Sequence, residues 1–131
     1  MAAEEPIRVF VIDDSESMRL SLKQMLSVFA DFLWVGESRD GQDVLEQCEA
    51  LHPDVVLMDV GLPHVDVANL TRLIREHFPL TQVIGITGFE EQSLINQMLK
   101  AGAVVCLPKH ASVTLIADAI RPRRDPHKLA G

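Results

Sequence analysis

Apolar residues fall into five short runs, and each run is followed by a longer segment in which they recur every three or four positions. A short run rich in β-branched residues is typical of a buried strand, and the wider spacing is typical of an amphipathic helix. The predicted strands cover residues 7–12, 32–37, 55–59, 82–87 and 103–107. This regular alternation predicts a parallel sheet with helices on both faces.

The third predicted strand is the most apolar of the five. Its residues Val55–Met58 lie between turn-forming residues at His52–Asp54 and Gly61–Pro63, as expected of a strand buried on both faces. The second strand, Phe32–Glu37, shows some alternation of apolar and polar positions, which places it nearer an edge. We therefore predict an α/β fold of the flavodoxin-like (βα)5 type, a three-layer sandwich with the parallel strand order 2-1-3-4-5.

Local signals predict where several helices begin and end. Ser15 is placed to cap the first helix, and His52–Pro53 ends the second, because a residue before proline is pushed out of the helical region. Glu90–Glu91 suit the positive end of the fourth helix, and Gly102 is its predicted stop. The last helix is predicted to end near Arg121–Pro122.

Length and composition predict one folded domain. The chain has 131 residues, of which 47% are hydrophobic and 24% charged, and the domain is expected to cover residues 1–122. Residues 123–131 are polar and without periodicity, so we predict a polar tail or the start of a linker. Cys48 and Cys106 lie in apolar surroundings and are expected to be buried thiols of a cytoplasmic protein.

Charge and hydropathy exclude two classes of partner for this domain alone. A formal net charge of −7 argues against non-specific binding of nucleic acid or of an anionic membrane. No apolar run approaches the roughly 20 residues of a membrane-spanning helix. Neither DNA nor a membrane is therefore expected to bind this domain directly.

Polar residues that could bind a ligand or take part in a reaction end or follow four of the predicted strands. The pair Asp13–Asp14 follows the first strand, Asp59 ends the third, and Thr87 and Lys109 follow the fourth and fifth. In the predicted order, strands one and three flank the switch point, where the order of the strands in the sheet reverses. The three acids should therefore meet there. Three converging carboxylates need a cation, and oxygen-only ligands suit Mg²⁺.

The same residues suggest a reaction. A lysine ammonium and a threonine hydroxyl suit a tetrahedral anion, and Asp59 can act as a carboxylate nucleophile that forms an acyl phosphate. The pattern predicts metal-assisted phosphoryl transfer to the protein itself. Taken singly, each residue has a simpler explanation: an aspartate in a turn, Thr87 as a helix cap, Lys109 as a surface lysine. Their joint placement favours the site.

In these motifs and their order, the chain from Ile7 to about Arg121 resembles the receiver domain of bacterial two-component response regulators (CheY-like). The stretch Trp34–Gly41 further resembles receivers of the NarL/FixJ type, which usually carry a C-terminal helix-turn-helix DNA-binding domain. The motifs that carry the resemblance are Val11–Ser15, Val56–Asp59 with Leu62–Pro63, Thr87 and Lys109.

The resemblance implies a role for each matched residue. Asp59 would accept a phosphoryl group from a sensor histidine kinase. Asp14, Asp59 and the backbone carbonyl of Gly61 would bind Mg²⁺ directly, and Asp13 would act mainly through water. Lys109 would pair with the phosphoryl oxygens.

The resemblance also implies how the signal leaves the site. The hydroxyl of Thr87 would move to the phosphate and draw the following loop with it. Dimerisation through a helix face is plausible for the family. DNA would be reached only through a C-terminal domain that this chain lacks, so the chain is expected to be a fragment of a transcription regulator or a stand-alone receiver.

Departures from the family pattern lie on the output side. Cys106 stands where the family has a switch aromatic residue. In addition, Pro108 precedes Lys109 and His110 follows it, so no cis peptide bond is expected between Lys109 and His110. Two alternatives therefore stay open. One is a pseudo-receiver, a protein-binding module without phosphate control. The other is an Asp-nucleophile phosphatase, for which the sequence shows neither a second acid–base residue nor a substrate cap.

Overall fold

The computed structural model describes residues 5–88 and 91–124 of the chain. The strands are β1 (Ile7–Ile12), β2 (Phe32–Ser38), β3 (Val55–Asp59), β4 (Gln82–Thr87) and β5 (Val105–Pro108). They form a parallel sheet with the order β2-β1-β3-β4-β5, as predicted, and β2 lies at an edge. The fifth strand begins two residues later than predicted, although the N–H of Val104 already donates to the carbonyl of Val83 at 2.9 Å.

A helix follows every strand, and the predicted end signals are confirmed at three of them. Ser15 caps the first helix by accepting a hydrogen bond from the N–H of Met18 at 3.2 Å. His52 after the second helix and Gly102 after the fourth both adopt left-handed backbone angles, with φ of 48° and 117°. The helices are α1 (Glu16–Ser27), α2 (Val44–Leu51), α3 (Val67–His77), α4 (Gln92–Ala101) and α5 (Val113–Arg124).

The predicted end of the last helix is wrong by about two residues. Helix α5 continues through Pro122 to Arg124 instead of ending near Arg121–Pro122. Proline removes one i→i−4 hydrogen bond, and in the final turn that loss does not stop the chain from remaining helical. Glu90 and the predicted tail from 125 to 131 lie outside the described residues.

Alternation along the strands divides the core into two layers. Successive side chains of a strand point to opposite faces, so Phe10 and Met58 pack under α2, α3 and α4, while Val9 and Leu57 pack under α1 and α5. All five residues of β3 are buried, as predicted for a central strand. Among the described residues no helix is both long enough and apolar enough to cross a membrane.

The two cysteines differ in environment. Cys48 is buried, as predicted, and burial raises the pKa of its thiol to about 11, which keeps it protonated. The prediction of a buried thiol is wrong for Cys106, which is only half-buried because β5 lies at the sheet edge. The described residues contain no cis peptide bond, so the Lys109–His110 bond is trans, as the order Pro108–Lys109–His110 predicts.

Cys106 occupies space that the absence of a side chain at Gly85 leaves open. A Cβ added at Gly85 would lie 2.7 Å from the Sγ of Cys106 and 2.9 Å from a methyl of Val60. Both distances are shorter than real Cβ contacts, and Val60 is 2% exposed, so it has little room to move. Gly85 and Cys106 are therefore a matched pair across β4 and β5.

Gly85→Ala should lower the free energy of unfolding by about 1–3 kcal/mol, because overpacking a filled core forces neighbours to shift. Cys106→Ala in the same chain should recover part of that loss by removing the closer obstacle, and the coupling should appear in a double-mutant cycle measured by urea unfolding. Cys106→Ala alone is the matched control. Additive effects of the two changes would contradict the packing.

Candidate functional site

Pairing between β1 and β3 brings the acids together. Ile12 lies opposite Met58 in the parallel register, so Asp13 and Asp59, each the next residue along, emerge side by side at the carboxyl edge of the sheet. One carboxylate oxygen from each of Asp13, Asp14 and Asp59 lies within 4.8 Å of the other two. The structure thus brings together the three acids that the sequence predicted would meet.

Asp13 is fixed by its surroundings. The residue is buried, with 1% of its surface exposed, and Oδ1 accepts a hydrogen bond from the N–H of Ser15 at 2.9 Å. Its own N–H donates to the carbonyl of Ser38 at the end of β2, at 3.0 Å. Asp14, by contrast, is exposed and faces the solvent side of the pocket.

Asp59 has one occupied oxygen and one that faces a cation. Oδ1 accepts a hydrogen bond from the N–H of Gly61 at 2.9 Å, and Oδ2 lies 3.6 Å from the Nζ of Lys109. The same ammonium lies 4.0 Å from Oδ2 of Asp13. Oδ2 of Asp59 is therefore the oxygen that faces the pocket.

Burial raises the pKa of the Asp59 carboxyl, and the negative charges of Asp13 and Asp14 raise it further. The hydrogen bond from Gly61 and the charge of Lys109 act in the opposite direction but do not cancel the increase. The ionised form of Asp59 is consequently destabilised, and binding of a cation or a proton would relieve that destabilisation.

Thr87 and Lys109 lie on the other side of the pocket because β4 and β5 end together. The N–H of Lys109 donates to the carbonyl of Thr87 at 2.8 Å. A Cβ at Gly88 would lie 3.4 Å from Cδ of Lys109, so the lysine side chain extends past this glycine toward the acids. Glu91, and not Thr87, holds the N-cap position of α4, which removes the simpler explanation of Thr87 as a helix cap.

A cavity of about 140 Å³ joins these groups. It is lined by Asp14, Asp59, Gly61, Thr87 and Lys109, all of which were predicted from the sequence. Sequence reasoning missed four further lining residues: Val60, Gly88, Glu91 and Leu94. Val60 and Gly88 directly follow Asp59 and Thr87, and the sequence signal for Glu91 and Leu94 was their position just after the loop that follows Thr87.

The three acids fit a small divalent cation. Mg²⁺ binds oxygen at about 2.1 Å in an octahedron, so its ligand oxygens lie about 3 Å apart when adjacent and about 4.2 Å apart when opposite. The 4.8 Å limit on the carboxylate oxygens is close to that range, and the exposed side of Asp14 leaves room for water ligands. Carboxylates with water are the donor set that Mg²⁺ prefers.

Fold and site together define a class: a small doubly wound α/β domain with an acidic pocket at its switch point. The chain belongs to the response regulator receiver domain family, which matches residues 9–121. The predicted flavodoxin-like topology and the predicted similarity to the NarL/FixJ type are both confirmed. Receivers of this family are signalling proteins and not metabolic enzymes.

Curated relatives support the same assignment. The chain is 32% identical over 116 residues to the response regulator protein VraR of Staphylococcus saprophyticus, covering 88% of this chain and 56% of the relative. It is 34% identical over 115 residues to the response regulator GacA of Pseudomonas viridiflava, covering 88% and 54%. The chain therefore spans about half the length of the curated relatives it matches.

Solved structures agree with this assignment. The signal receiver domain of NarL from Mycobacterium tuberculosis superposes with a TM-score of 0.83 at 33% identity, covering 90% of this chain and 95% of that one. A CheY-like receiver domain protein from Methanospirillum hungatei gives a TM-score of 0.84 at 20% identity, covering 97% and 100%. The second likeness shows the fold alone.

Proposed function

We propose that this chain is a phosphorylation-activated switch that accepts a phosphoryl group on Asp59 from a sensor histidine kinase. One observation carries the proposal: the pocket-facing oxygen of Asp59 lies 3.6 Å from Lys109, in a cluster with Asp13 and Asp14. A nucleophile, a cation for the incoming phosphate and ligands for a metal thus share one small cavity.

The transfer exchanges one bond to phosphorus for another. Oδ2 of Asp59 forms the new O–P bond while the N–P bond of the phosphohistidine breaks, and the departing imidazole keeps the electron pair and takes up a proton. Oδ1 keeps its hydrogen bond to Gly61, which orients the carboxylate. Lys109 is placed to donate to an oxygen of the arriving phosphoryl group.

Asp14, Asp59 and the backbone carbonyl of Gly61 would hold Mg²⁺, with Asp13 acting through a water molecule. When bound, the ion would supply positive charge that offsets the negative charge of the transferring group. The indirect role of Asp13 is the one that the family resemblance implies, and the N–H of Ser15 holds its Oδ1 in place.

Thr87 is the candidate for passing the signal on. It lies on the cavity wall between the phosphoacceptor and the loop that leads to α4. A phosphoryl group adds about −1.5 to −2 charge and three acceptor oxygens, so a nearby hydroxyl gains a new partner. We expect the loop after β4 to follow that hydroxyl, which is how a local charge biases a two-state element.

The output that we propose is control of transcription. Both curated relatives described above are response regulators about twice as long as the matched segment. We propose a helix-turn-helix domain following this one as the DNA-binding part, homodimerisation through a receiver helix face, and a cytoplasmic location.

Incubation of the chain with acetyl phosphate and Mg²⁺ should add the mass of one phosphoryl group, because the pocket supplies the nucleophile Asp59, the cation Lys109 and the ligands for the metal. Removing the metal with EDTA should reduce the phosphorylated fraction at least about 10-fold, since the transferring charge is then uncompensated. Rapid intact-mass spectrometry after a mildly acidic quench, in which an acyl phosphate hydrolyses slowly, measures both.

A mass that stays unchanged with donor and Mg²⁺ present would contradict the proposal and favour a protein-binding module without phosphate control. Cys106, in place of a switch aromatic, is the observation that supports this second candidate. Steady release of phosphate from unrelated phosphoesters would instead point to a phosphatase.

A further inference from the structure

Arg19 ties together three parts of the chain beside the acidic pocket. Its Nη1 donates to the main-chain carbonyl of Asp13 at 2.7 Å, and its Nε donates to Oε2 of Glu37 at 2.6 Å. Arg19 lies in the first turn of α1, and only 13% of its side chain is exposed. We infer that Arg19 is a positioning residue for the metal-binding acids, an inference that rests on the proposed function.

The bond to Asp13 controls the direction of Asp14. A peptide unit is planar, so a partner that holds the carbonyl oxygen of Asp13 also holds the plane from which Asp14 continues. The N–H of Asp13 is held separately by the carbonyl of Ser38, at 3.0 Å. Arg19 therefore fixes the peptide unit that precedes Asp14, and the hydrogen bond from the N–H of Ser15 to Oδ1 of Asp13 fixes the one that follows it.

Glu37 holds the guanidinium in place. Val11 lies opposite Glu37 in the register of β1 against β2, so the edge strand delivers this carboxylate next to the end of β1. Arginine presents donors on separate nitrogens of one rigid plane and can satisfy two partners in different directions. Lysine carries all its donors on one nitrogen and cannot reproduce that geometry.

Arg19 also borders the entrance to the acids. It lines a cleft of about 430 Å³ together with Asp14, Arg39 and His64, on the β2 side of the acids, whereas Lys109 follows β5 at the other edge of the sheet. Asp14 belongs both to this cleft and to the phosphoacceptor cavity. A change in the path of the chain at Asp14 would therefore alter the metal ligands without altering the sheet.

Mn²⁺ affinity of the full 131-residue chain tests the inference, with free Mn²⁺ followed by electron paramagnetic resonance. Arg19→Met should weaken Mn²⁺ binding about 10-fold, in line with the loss of a group that orients a metal ligand. Arg19→Lys should recover only part of the affinity. Arg72→Met, which removes an exposed arginine paired with Glu76 on α3, is the matched control and should bind as the parent does.

A merely structural role for Arg19 predicts a different result. In that case the unfolding midpoint falls in Arg19→Met while the folded fraction binds Mn²⁺ within twofold of the parent, which would overturn the inference. Glu37→Gln supplies a milder variant if Arg19→Met does not fold, and it should weaken Mn²⁺ binding by a smaller factor. Unchanged binding in Glu37→Gln and Arg19→Lys would also overturn it.

Amide NMR spectra of the metal-free chain separate this inference from the proposed function. Arg19→Met should shift the signals of Asp14 and Ser15 while those of β4 stay in place. If the parent is never phosphorylated yet Arg19→Met shows these changes, the proposed function fails and the positioning role stands. If the parent is phosphorylated and Arg19→Met leaves both spectra and Mn²⁺ affinity unchanged, only the positioning role fails.

Discussion

Asp59→Asn should abolish phosphoryl incorporation and at the same time stabilise the metal-free chain. The amide cannot form an acyl phosphate, so mass spectrometry with acetyl phosphate and Mg²⁺ should show no modified species. Asparagine keeps an oxygen for the N–H of Gly61, so the local fold is retained. Removing one of three crowded negative charges should raise the free energy of unfolding at pH 7 by about 1–2 kcal/mol.

The pH dependence gives this prediction a sign. Burial raises the pKa of Asp59 above its ordinary value of 3.8, so the folded chain binds this proton more tightly than the unfolded chain does. The stability contributed by Asp59 is therefore fully present below pH 3.8 and is lost as the pH rises through the raised pKa. The advantage of Asp59→Asn should accordingly be small in acid and largest near neutrality, by urea unfolding in EDTA.

Asp66→Asn is the matched control for this substitution. Asp66 caps α3 by accepting a hydrogen bond from the N–H of Asn69 at 3.0 Å, and asparagine caps a helix about equally well. This variant should be phosphorylated normally and unfold as the parent does. Phosphate retained in Asp59→Asn would mean that another residue is the acceptor.

Lys109→Met should slow phosphorylation by about 10-fold to 100-fold. A hydrogen bond to a charged group contributes about 1.5–3 kcal/mol, and this one forms with the incoming phosphoryl oxygens, so its loss falls on the transition state. Lys109 also offsets the charges of Asp13 and Asp59, at 4.0 and 3.6 Å. Its side chain is 34% exposed and partly screened by water, so the stability loss without metal should be about 1 kcal/mol.

Saturating Mg²⁺ should restore most of the stability of Lys109→Met but not its rate. The ion replaces the missing positive charge near the acids, whereas it cannot replace the donor on the β5 side of the pocket. Phosphorylation time courses and thermal unfolding with and without Mg²⁺ measure the two effects. Lys100→Met, an exposed lysine in the last turn of α4, is the control, and an equal rate in both variants would argue against a role for Lys109.

The fold and the outline of the site could be predicted because both depend on where apolar runs stop. Asp13, Asp59 and Lys109 each end or follow a strand that hydrophobicity alone locates, and parallel strands end at the same edge of a sheet. Their convergence follows from topology and needs no knowledge of side-chain contacts.

Contacts across long stretches of sequence could not be predicted in the same way. Arg19 and Glu37 are 18 residues apart, and only the register of β1 against β2 brings them together. Likewise, nothing in the spacing of Gly85 and Cys106 reveals that one provides room for the other. Such contacts depend on side-chain packing, for which periodicity carries no signal.

Local rules also failed where a neighbouring effect was stronger. Proline at position 122 predicted an early end to the last helix, yet α5 continues to Arg124. Just before it, Arg121 pairs with Asp31 at 2.8 Å and lies 4.9 Å from the ring of Phe29. These tertiary contacts hold the end of the helix against the body of the domain, where helix propensity alone would not.

Because three acids are crowded at one sheet edge, the stability of this domain should depend on the concentration of divalent cations. Any divalent cation that binds the folded chain and ignores the unfolded one adds stability that grows with the logarithm of its concentration. The melting temperature should therefore rise with the concentration of free Mg²⁺ in every buffer. Two preparations that differ only in residual chelator should have different melting temperatures.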